Sequence, residues 1–578
     1  MELASISHRS AFTDCYALDE NTIIVNLKTG HDVTNVTIYH GDPFARGTKP
    51  EPLLMEPKWE LKHHRIWSVK LQPEFKREQY YFRVSNETES YFFFGDGFCT
   101  PEEEKNPARM RQYFKYPWLN SCDVCTPPRW VSDTVWYQIM PDRFCRGSQE
   151  PKRFPLCKWE SSRKITYRDF YGGDLKGITQ KLPYLKDLGI SGIYMTPIFL
   201  SDSNHKYNIF DYSKIDPDFG TEEDLRTLVA TAHGMGIRVM LDAVFNHCGN
   251  QFPQWLDVVE KGPDSPYWDW FFVHHWPLPR EGWDTLDKRF YSFAFTTSMP
   301  KLNTNNPEVR KFCIDLCKKW ITQWDIDGIR FDVGDEVSHR FLKEMNRELK
   351  AVKPDVFLLG ELWHDSVQWL QGDEYDATMN YPFLGGLQNF WIGSQPAKEL
   401  MYAMNQCYTL YPEQLSTILF NFLDTHDTVR AVTRCGDQDI FYQQLTMLMT
   451  MPGSPCIYYG TEIALEGGPD PDCRRPMPWH KMAAGKFDQE IRSCKDLIRI
   501  RRECPEIRSD RVVWHSEQVP RLIHYSRPGE KNKTLLSVYL NADKIPVKIM
   551  PNGRLLFSRK LKEGILEPGG IAIVRKER

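Results

Sequence analysis

The strongest constraint on the fold is an alternation of strand-like and helix-like segments between residues 135 and 459. Short apolar runs, with the length of buried strands, are separated by longer stretches whose apolar residues recur every three or four positions. The strand-like runs are Val135–Met140, Gly192–Phe199, Ile237–Val244, Gly328–Val333, Val356–Leu362, Ala377–Phe383, Thr417–Leu423 and Cys456–Tyr459. The helix-like stretches include Gly177–Leu188, Thr221–Met235, Pro307–Trp324 and Val337–Val352. This count predicts an α/β protein built on a (β/α)8 TIM barrel.

The segments outside the alternation predict additional β domains. Residues 1–122 contain short alternating runs separated by polar turns, which predicts an N-terminal β-sandwich. The barrel domain is expected at 123–503, after a proline-punctuated linker. Within it, residues from about 248 to 306 show little periodicity and predict a subdomain inserted after strand three. Residues 504–578 return to short β runs and predict a C-terminal β-sandwich.

Composition excludes several classes of partner. The chain has 578 residues and a formal charge of -4, and it contains no block of basic residues, which indicates that it does not bind nucleic acid. No apolar run approaches the ~18 residues of a membrane span, and the first residues lack the apolar region of a secretion signal. The odd number of cysteines, 15, lacks the spacing of a disulfide framework. We therefore expect a cytoplasmic protein with free thiols.

Two cysteine pairs have spacings that could suggest functional sites, but the sequence does not favour that interpretation. Cys122 and Cys125 form a CxxC pair, but no second pair follows at the spacing of a zinc site. Cys313 and Cys317 lie four residues apart on a predicted helix, where they are expected to be small buried side chains.

Polar residues end four of the predicted barrel strands, at the edge where the reacting groups of such barrels lie. These endings are Asp242–His247, Arg330–Asp332, Glu361–Trp363 and Asp424–Asp427. Because side chains alternate along a strand, Arg330 and Asp332 point to the same side, and the guanidinium should keep Asp332 ionised. Glu361 follows an apolar run, which should raise its pKa so that it holds a proton. One ionised and one protonated carboxyl group are what retaining glycoside hydrolysis requires.

These residues leave a second interpretation open. His247, His426, Asp242 and Asp427 could hold a divalent metal in a barrel hydrolase. The first predicted strand offers no pair of histidines for such a site, and the histidines are then expected to donate hydrogen bonds to sugar hydroxyls.

Four segments resemble the short motifs of the α-amylase superfamily of glycoside hydrolases, in the same order along the chain. They are DAVFNH (242–247), GIRFDVGDE (328–336), GELW (360–363) and FLDTHD (422–427). The resemblance implies that Asp332 is the nucleophile, that Glu361 is the acid/base and that Asp427 binds sugar hydroxyls. It implies a substrate-binding role for a further group of residues: His247, Arg330, His426, Tyr207, Asp242, Asn246 and Trp363.

Two further segments resemble the cyclomaltodextrinase, neopullulanase and maltogenic amylase group of that superfamily. They are MPKLN (299–303) and GPDPDCRRPM (468–477). The resemblance implies that Asp470 and Arg474 bind at the non-reducing side of the substrate. It also implies that Phe293 and Phe295 contact the far end of the substrate, although alternate aromatic residues also fit a buried strand.

The group implies small carbohydrate substrates, namely cyclodextrins, maltodextrins and pullulan, and a homodimer formed through the N-terminal domain. No cofactor is expected. The segment that resembles the superfamily's calcium loop, Asp142–Glu150, lacks most oxygen ligands and carries an arginine, so no calcium is expected there. Two other functions stay open: a barrel that only binds sugar or a partner protein, and a glucan transferase or isomerase on the same scaffold. The intact carboxylates Asp332, Glu361 and Asp427 disfavour a barrel that only binds. The MPKLN and GPDPDCRRPM segments disfavour a transferase or isomerase.

Overall fold

The computed structural model describes residues 1–45, 49–106, 112–160, 162–279, 282, 284–393 and 395–577. Residues 280, 281 and 283 of the predicted insertion lie outside the described residues. Contacts between Cα atoms divide the chain into two units, and each is described by itself. The first unit is Met1–Thr126 with Asp365–Gly372 and Gly385–Ser416. The second is Pro127–His364 with Asp373–Leu384 and Thr417–Arg578.

The first unit contains two β-sheets that share one apolar core. Its strands are β1 (Cys15–Ala17), β2 (Ile23–Thr29), β3 (Asn35–Gly41), β4 (Glu51–Leu54), β5 (Glu56–Glu60), β6 (Arg65–Leu71), β7 (Glu78–Ser85), β8 (Ser90–Phe94), β9 (Gly97–Cys99) and β10 (Phe114–Tyr116). One sheet has the order β1-β2-β6-β5 and the other β4-β3-β7-β8-β9, with β10 paired to β7. Val25 and Trp67 of the first sheet and Ile38 and Phe82 of the second belong to the same buried cluster. Inward-facing apolar residues on both sheets produce this sandwich.

A helical segment from later in the chain belongs to the first unit. Helix α9 (Ala397–Thr409) carries Asn405, whose amide donates to the backbone oxygen of Glu60 on β5 at 2.8 Å. Glu413, just after α9, pairs with Lys58 and, at 2.6 Å, with Lys70.

The second unit contains the predicted barrel. Eight strands form a parallel sheet in the order β18-β17-β16-β15-β12-β11-β20-β19. They are β11 (Trp136–Ile139), β12 (Gly192–Met195), β15 (Arg238–Ala243), β16 (Gly328–Phe331), β17 (Phe357–Gly360), β18 (Ala377–Thr378), β19 (Phe420–Phe422) and β20 (Ser454–Tyr458). A parallel bridge between Met379 and Phe420 joins the two ends of the sheet, so the barrel closes. A hairpin of β13 (Phe199–Leu200) and β14 (Asp211–Ile215) lies outside the barrel sheet.

The four helix-like stretches form helices, and these begin with a capping side chain. The chain forms α1 (Pro101–Glu104), α2 (Pro141–Phe144), α3 (Leu175–Leu188), α4 (Glu222–Gly234), α5 (Pro253–Lys261), α6 (Pro307–Trp324), α7 (His339–Val352), α8 (Tyr381–Ile392), α9, α10 (Ala431–Cys435), α11 (Gln438–Thr450), α12 (Trp479–Ala483) and α13 (Asp488–Glu503). Asn306 accepts from the amides of Glu308 and Val309 at the start of α6, and Ser338 accepts from Phe341 in α7. Such side-chain caps satisfy amides that the helix leaves unpaired.

One predicted strand differs in extent from the observed one. The run Ala377–Phe383 was expected to be a strand, but β18 ends at Thr378 and α8 begins at Tyr381. Pro382 is the second residue of α8, and proline is tolerated in the first turn of a helix but disfavoured inside a sheet strand. The predicted insertion contains α5 and otherwise short irregular segments among its described residues.

After the barrel, the remaining strands belong to one hydrogen-bonded sheet. They are β21 (Val513–Trp514), β22 (Leu522–Pro528), β23 (Thr534–Asn541), β24 (Val547–Lys548), β25 (Arg554–Lys562) and β26 (Ile565–Glu577).

Candidate active site

Strand register places Asp332 and Glu361 beside each other at the carboxyl end of the barrel. Phe331, the last residue of β16, pairs with Ala243 of β15 on one side and with Gly360 of β17 on the other. The next residues continue this alignment, because the amide of Asp332 donates to Ala243 and the amide of Glu361 donates to Phe331, each at 3.0 Å. The two carboxylates therefore leave neighbouring strands at the same height.

A single guanidinium contacts three carboxylates at this edge. Nη1 of Arg330 lies 2.7 Å from Oδ1 of Asp332 and 2.9 Å from Oδ2 of Asp242, and Nη2 lies 2.8 Å from Oε2 of Glu361. The Arg330 side chain is fully buried. With all three carboxylates ionised, this cluster would carry a net negative charge in a buried setting. That charge favours retention of a proton and attracts a developing positive charge.

Burial changes the expected protonation of Asp332. Burial raises the pKa of the Asp332 carboxyl well above its usual range, Arg330 acts in the opposite direction, and the charges of Glu361 and Asp242 add to the rise. The expectation that Arg330 keeps this carboxyl ionised took account of only one of these effects. The geometric part of that expectation is confirmed, since Arg330 donates a hydrogen bond to Asp332.

Glu361 is held by four groups, two at each oxygen. Oε2 accepts the backbone N–H of Val333 at 3.0 Å and lies beside Arg330. Oε1 lies 3.3 Å from the indole nitrogen of Trp363 and 3.4 Å from the hydroxyl of Tyr381. The Trp363 and Tyr381 rings stack with centroids 4.1 Å apart.

Asp427 belongs to a second charged cluster. Its Oδ2 lies 3.0 Å from Nε2 of His426, and its Oδ1 lies 3.1 Å from Nη2 of Arg474. The same Arg474 nitrogen lies 2.9 Å from Oδ1 of Asp470. Burial raises the pKa of Asp427, whereas Arg474 and then Arg330 act to lower it.

The aromatic and histidine side chains form the walls between these clusters. The Tyr207 ring stacks on His426 with centroids 5.2 Å apart and planes 3° from parallel, and its hydroxyl donates to Asp242 at 2.8 Å. His247 stacks on Phe293 at 5.0 Å, and its Nε2 lies 3.2 Å from the Tyr207 backbone oxygen. Burial lowers the pKa of His247 to about 3. Burial, Arg474 and Arg330 lower the pKa of His426 well below its usual value. Both imidazoles are therefore neutral near pH 7.

Comparison with known proteins agrees with this geometry. Residues 138–495 match the family described as Alpha amylase, catalytic domain, and residues 1–120 match Alpha amylase, N-terminal ig-like domain.

The chain belongs to the α-amylase family.

Three relatives narrow its place among the family's glycoside hydrolases that act on α-glucans. The Intracellular maltogenic amylase of Bacillus subtilis is 41% identical over 512 residues, which cover 87% of this chain and 85% of that protein. Neopullulanase 2 of Thermoactinomyces vulgaris is 35% identical over 567 residues, with 93% of each chain covered. A solved cyclomaltodextrinase structure superposes with a TM-score of 0.90 at 33% identity, covering 100% of this chain and 98% of that one.

The carboxyl end of the barrel contains a cavity of 490 Å³. Its lining includes most of the predicted site residues: Tyr207, His247, Phe293, Asp332, Glu361, Trp363, His426, Asp427, Asp470 and Arg474. Asp242, Asn246 and Arg330 lie behind the lining and contact it through hydrogen bonds. Phe295 is not part of the lining and is 58% exposed.

Several residues around the cavity were not predicted. Tyr194 donates to Asp242 at 2.6 Å, and Gln138 contacts His426 at 2.8 Å. Lys301, in the MPKLN segment, pairs with Asn246 and with Glu336. A polar residue on a barrel strand, such as Gln138, was the available signal, because that strand is otherwise apolar.

Two cations that closely follow the segment Asp142–Glu150 pair with carboxylates from other parts of the chain. Lys152 lies 3.1 Å from Asp174, and Arg153 lies 2.9 Å from Asp218 and pairs with Asp216. Among the residues that the structure describes, no three His, Cys, Asp or Glu side chains are grouped so that they could hold a metal ion. No helix of the described chain is long and apolar enough to cross a membrane.

Proposed function

We propose that this chain hydrolyses α-1,4-glucosidic bonds with retention of configuration, with Asp332 as nucleophile and Glu361 as acid/base. The observation that carries the proposal is the shared contact with Arg330, which binds Asp332 at 2.7 Å and Glu361 at 2.8 Å. Contacts to the two ends of one guanidinium keep these carboxylate oxygens within about 8 Å of each other. Two carboxyl groups so close on one cavity wall suit a glucose ring placed between them.

In the proposed reaction, Glu361 protonates the glycosidic oxygen while Asp332 attacks the anomeric carbon. The bond to the leaving sugar breaks, and a glycosyl ester forms on Asp332. Glu361, now a carboxylate, takes a proton from water as the water oxygen attacks the anomeric carbon and releases Asp332. A sugar hydroxyl that replaces water gives transglycosylation from the same intermediate.

The hydrogen bonds of Glu361 support placing its proton on Oε1. Oε2 already accepts the Val333 amide and faces Arg330, so a proton there would oppose two donors. Oε1 faces one group that only donates, the Trp363 indole N–H at 3.3 Å, and the Tyr381 hydroxyl, which can accept as well as donate. Asp427 and Arg474 line the same cavity and would bind hydroxyls of the ring bonded to Asp332.

The proposed substrates are cyclodextrins, short maltodextrins and pullulan. The names of the relatives, maltogenic amylase, neopullulanase and cyclomaltodextrinase, support this choice. The pair of Asp470 and Arg474 beside Asp427 restricts the cavity on that side, which favours short products such as maltose. The chain requires no metal or other cofactor under this proposal.

We also propose that the protein acts inside the cell as a homodimer formed through residues 1–122. The name of the Bacillus subtilis relative supports an intracellular location, where imported oligosaccharides are the accessible glucans.

The test is a set of parallel rates on β-cyclodextrin, pullulan and soluble starch, with products separated by chromatography and the first-formed anomer read by NMR. We expect faster cleavage of cyclodextrin than of starch, with α-anomeric products. Asp332→Asn should abolish turnover, whereas Asp315→Asn, on the exposed surface of α6, should not. Products of net transfer or isomerisation instead of hydrolysis, or β-anomers, would contradict the proposal.

A further inference from the structure

Gln138 is a polar residue buried in the wall of the barrel at the back of the site. It lies on β11, is 1% exposed, and places Nε2 2.8 Å from Nδ1 of His426. The other ring nitrogen of His426, Nε2, lies 3.0 Å from Oδ2 of Asp427. The imidazole therefore bridges Gln138 and the sugar-facing carboxylate, with the Tyr207 ring stacked on one face.

The contacts determine where the single ring proton of His426 lies. Burial and the charges of Arg474 and Arg330 lower the pKa of His426, so the imidazole is neutral. A carboxylate oxygen only accepts, so Nε2, which faces Asp427, carries the hydrogen. Nδ1 is then unprotonated and accepts a hydrogen bond from the Gln138 amide.

We propose that Gln138 is a positioning residue that holds His426 as the neutral Nε2–H tautomer and directs that N–H at Asp427. The consequence for catalysis rests on the proposed function, whereas the tautomer itself does not.

The uncharged form matters because of the charges around the ring. The carboxyl groups of Asp427 and Glu361 and the guanidinium groups of Arg474 and Arg330 act on His426, and Tyr207 and His205 lie nearby as neutral groups. The transition state of glycoside cleavage resembles an oxocarbenium ion. An imidazolium beside Asp427 would repel the positive charge of that transition state. A neutral His426 therefore lowers the barrier to bond cleavage more than it strengthens substrate binding.

Two substitutions test the amide directly. Gln138→Glu keeps the shape of the side chain but replaces a donor with a carboxylate, which favours a proton on Nδ1. Gln138→Leu removes the donor without adding charge. Gln443→Leu is the matched control, because Gln443 is also buried and donates through its amide, at 2.8 Å, to a backbone oxygen away from the cavity.

The readout is the pair of His426 ring nitrogen signals in protein labelled with ¹⁵N-histidine, assigned by their loss in His426→Gln. In the wild type we expect Nδ1 at the unprotonated position and Nε2 at the protonated one. Gln138→Glu should move Nδ1 to the protonated position and lower kcat on the order of tenfold or more, with a smaller change in KM. Gln138→Leu should move Nδ1 further from the protonated position, and Gln443→Leu should leave both signals unchanged.

A wild-type protein with the proton on Nδ1, or a Gln138→Glu protein with unchanged His426 signals and unchanged kcat, would overturn the proposal. If Gln138→Glu fails to fold, the Gln138→Leu spectrum decides. Failure of the proposed function is a separate result, because an active Asp332→Asn protein would leave the His426 spectrum as expected.

Discussion

Val333 donates its backbone N–H to Oε2 of Glu361 at 3.0 Å, from a backbone conformation that valine rarely adopts. Its φ is 47°, in the left-handed region that β-branched residues disfavour. Residues held in such conformations are found where the surrounding structure compensates for the strain, often at functional sites. Here the strained residue directly follows the proposed nucleophile and points its amide at the proposed acid, so one turn relates the two carboxyl groups.

Glu361→Gln should lose far more activity on substrates with a poor leaving group than on substrates with a good one. Without a proton donor, cleavage of maltotriose should fall by ~10²–10⁴-fold, whereas α-glucosyl fluoride, whose leaving group needs little protonation, should be far less affected. Initial rates on both substrates measure the difference. Asp332→Asn is the comparison, since it should fail on both, and equal losses of Glu361→Gln on the two substrates would argue against the acid role.

Asp242→Asn should shift the acid limb of the pH profile to lower pH. The Asp332 carboxyl must be ionised to attack, so kcat/KM falls as the pH drops through its raised pKa. Removing the negative charge of Asp242 removes one cause of that rise and lowers the pKa. The profile of residual kcat/KM against pH measures the shift. Asp315→Asn should leave the limb in place, and a limb that moves upward in Asp242→Asn would contradict the electrostatic account.

Removal of divalent cations should leave activity unchanged. Lys152 and Arg153 already neutralise Asp174 and Asp218, the carboxylates near the segment that resembles the calcium loop. Dialysis against EDTA followed by assay on β-cyclodextrin tests this, with calcium added back in a parallel sample. A loss of activity that calcium restores would show that a cation is required.

Asp327→Asn should reduce stability in a pH-dependent way. Hydrogen bonds from His233, Val239 and Arg238 lower the pKa of Asp327 from 3.8 to about 2, against the opposing effect of burial. Because the folded-state pKa is lowered, the stabilisation is present above pH 4 and is lost as the pH falls through 2. The substitution should lower the free energy of unfolding by about 2 kcal/mol at pH 7. Urea titrations at pH 7 and at pH 3 measure it, and an equal loss at both would contradict the assignment.

The proposed homodimer should be visible in solution. Light scattering on the full chain should give twice the mass of one chain over a range of concentrations. A strict monomer at every concentration, with full activity on β-cyclodextrin, would contradict it.

The barrel was predictable because its signals are local. Helix α6 has the bounds predicted from its periodicity, Pro307–Trp324, and the motifs predicted Asp332 and Glu361 to lie at strand ends, where the structure has them. Cys313 and Cys317 are buried on that helix, as predicted. The extent of β18 was missed although the sequence carried a signal, because Asn380 and Pro382 interrupt the segment Ala377–Phe383 and proline is disfavoured inside a sheet strand.

The parts of the site that escaped prediction depend on contacts between distant segments. The hydroxyl of Tyr381 reaches Glu361 only because α8 begins directly after the short β18. The protonation of Asp332 depends on its burial and on Asp242, which lies 90 positions away in the chain and meets it only through Arg330. A sequence motif identifies which residues are present, but it does not determine the burial and the charges around Asp332 and Glu361.

Arg330 contacts three acidic side chains at once. The contribution of each side chain to catalysis therefore cannot be measured by one substitution at a time. Neutralising any one of them frees the cation to bind the other two more closely, so a single-substitution survey will misjudge each. Double-mutant cycles across positions 242, 332 and 361 should therefore show large coupling energies. Lysine could not replace Arg330, because one compact ammonium group lacks the two separate nitrogens with which the planar guanidinium contacts these carboxylates.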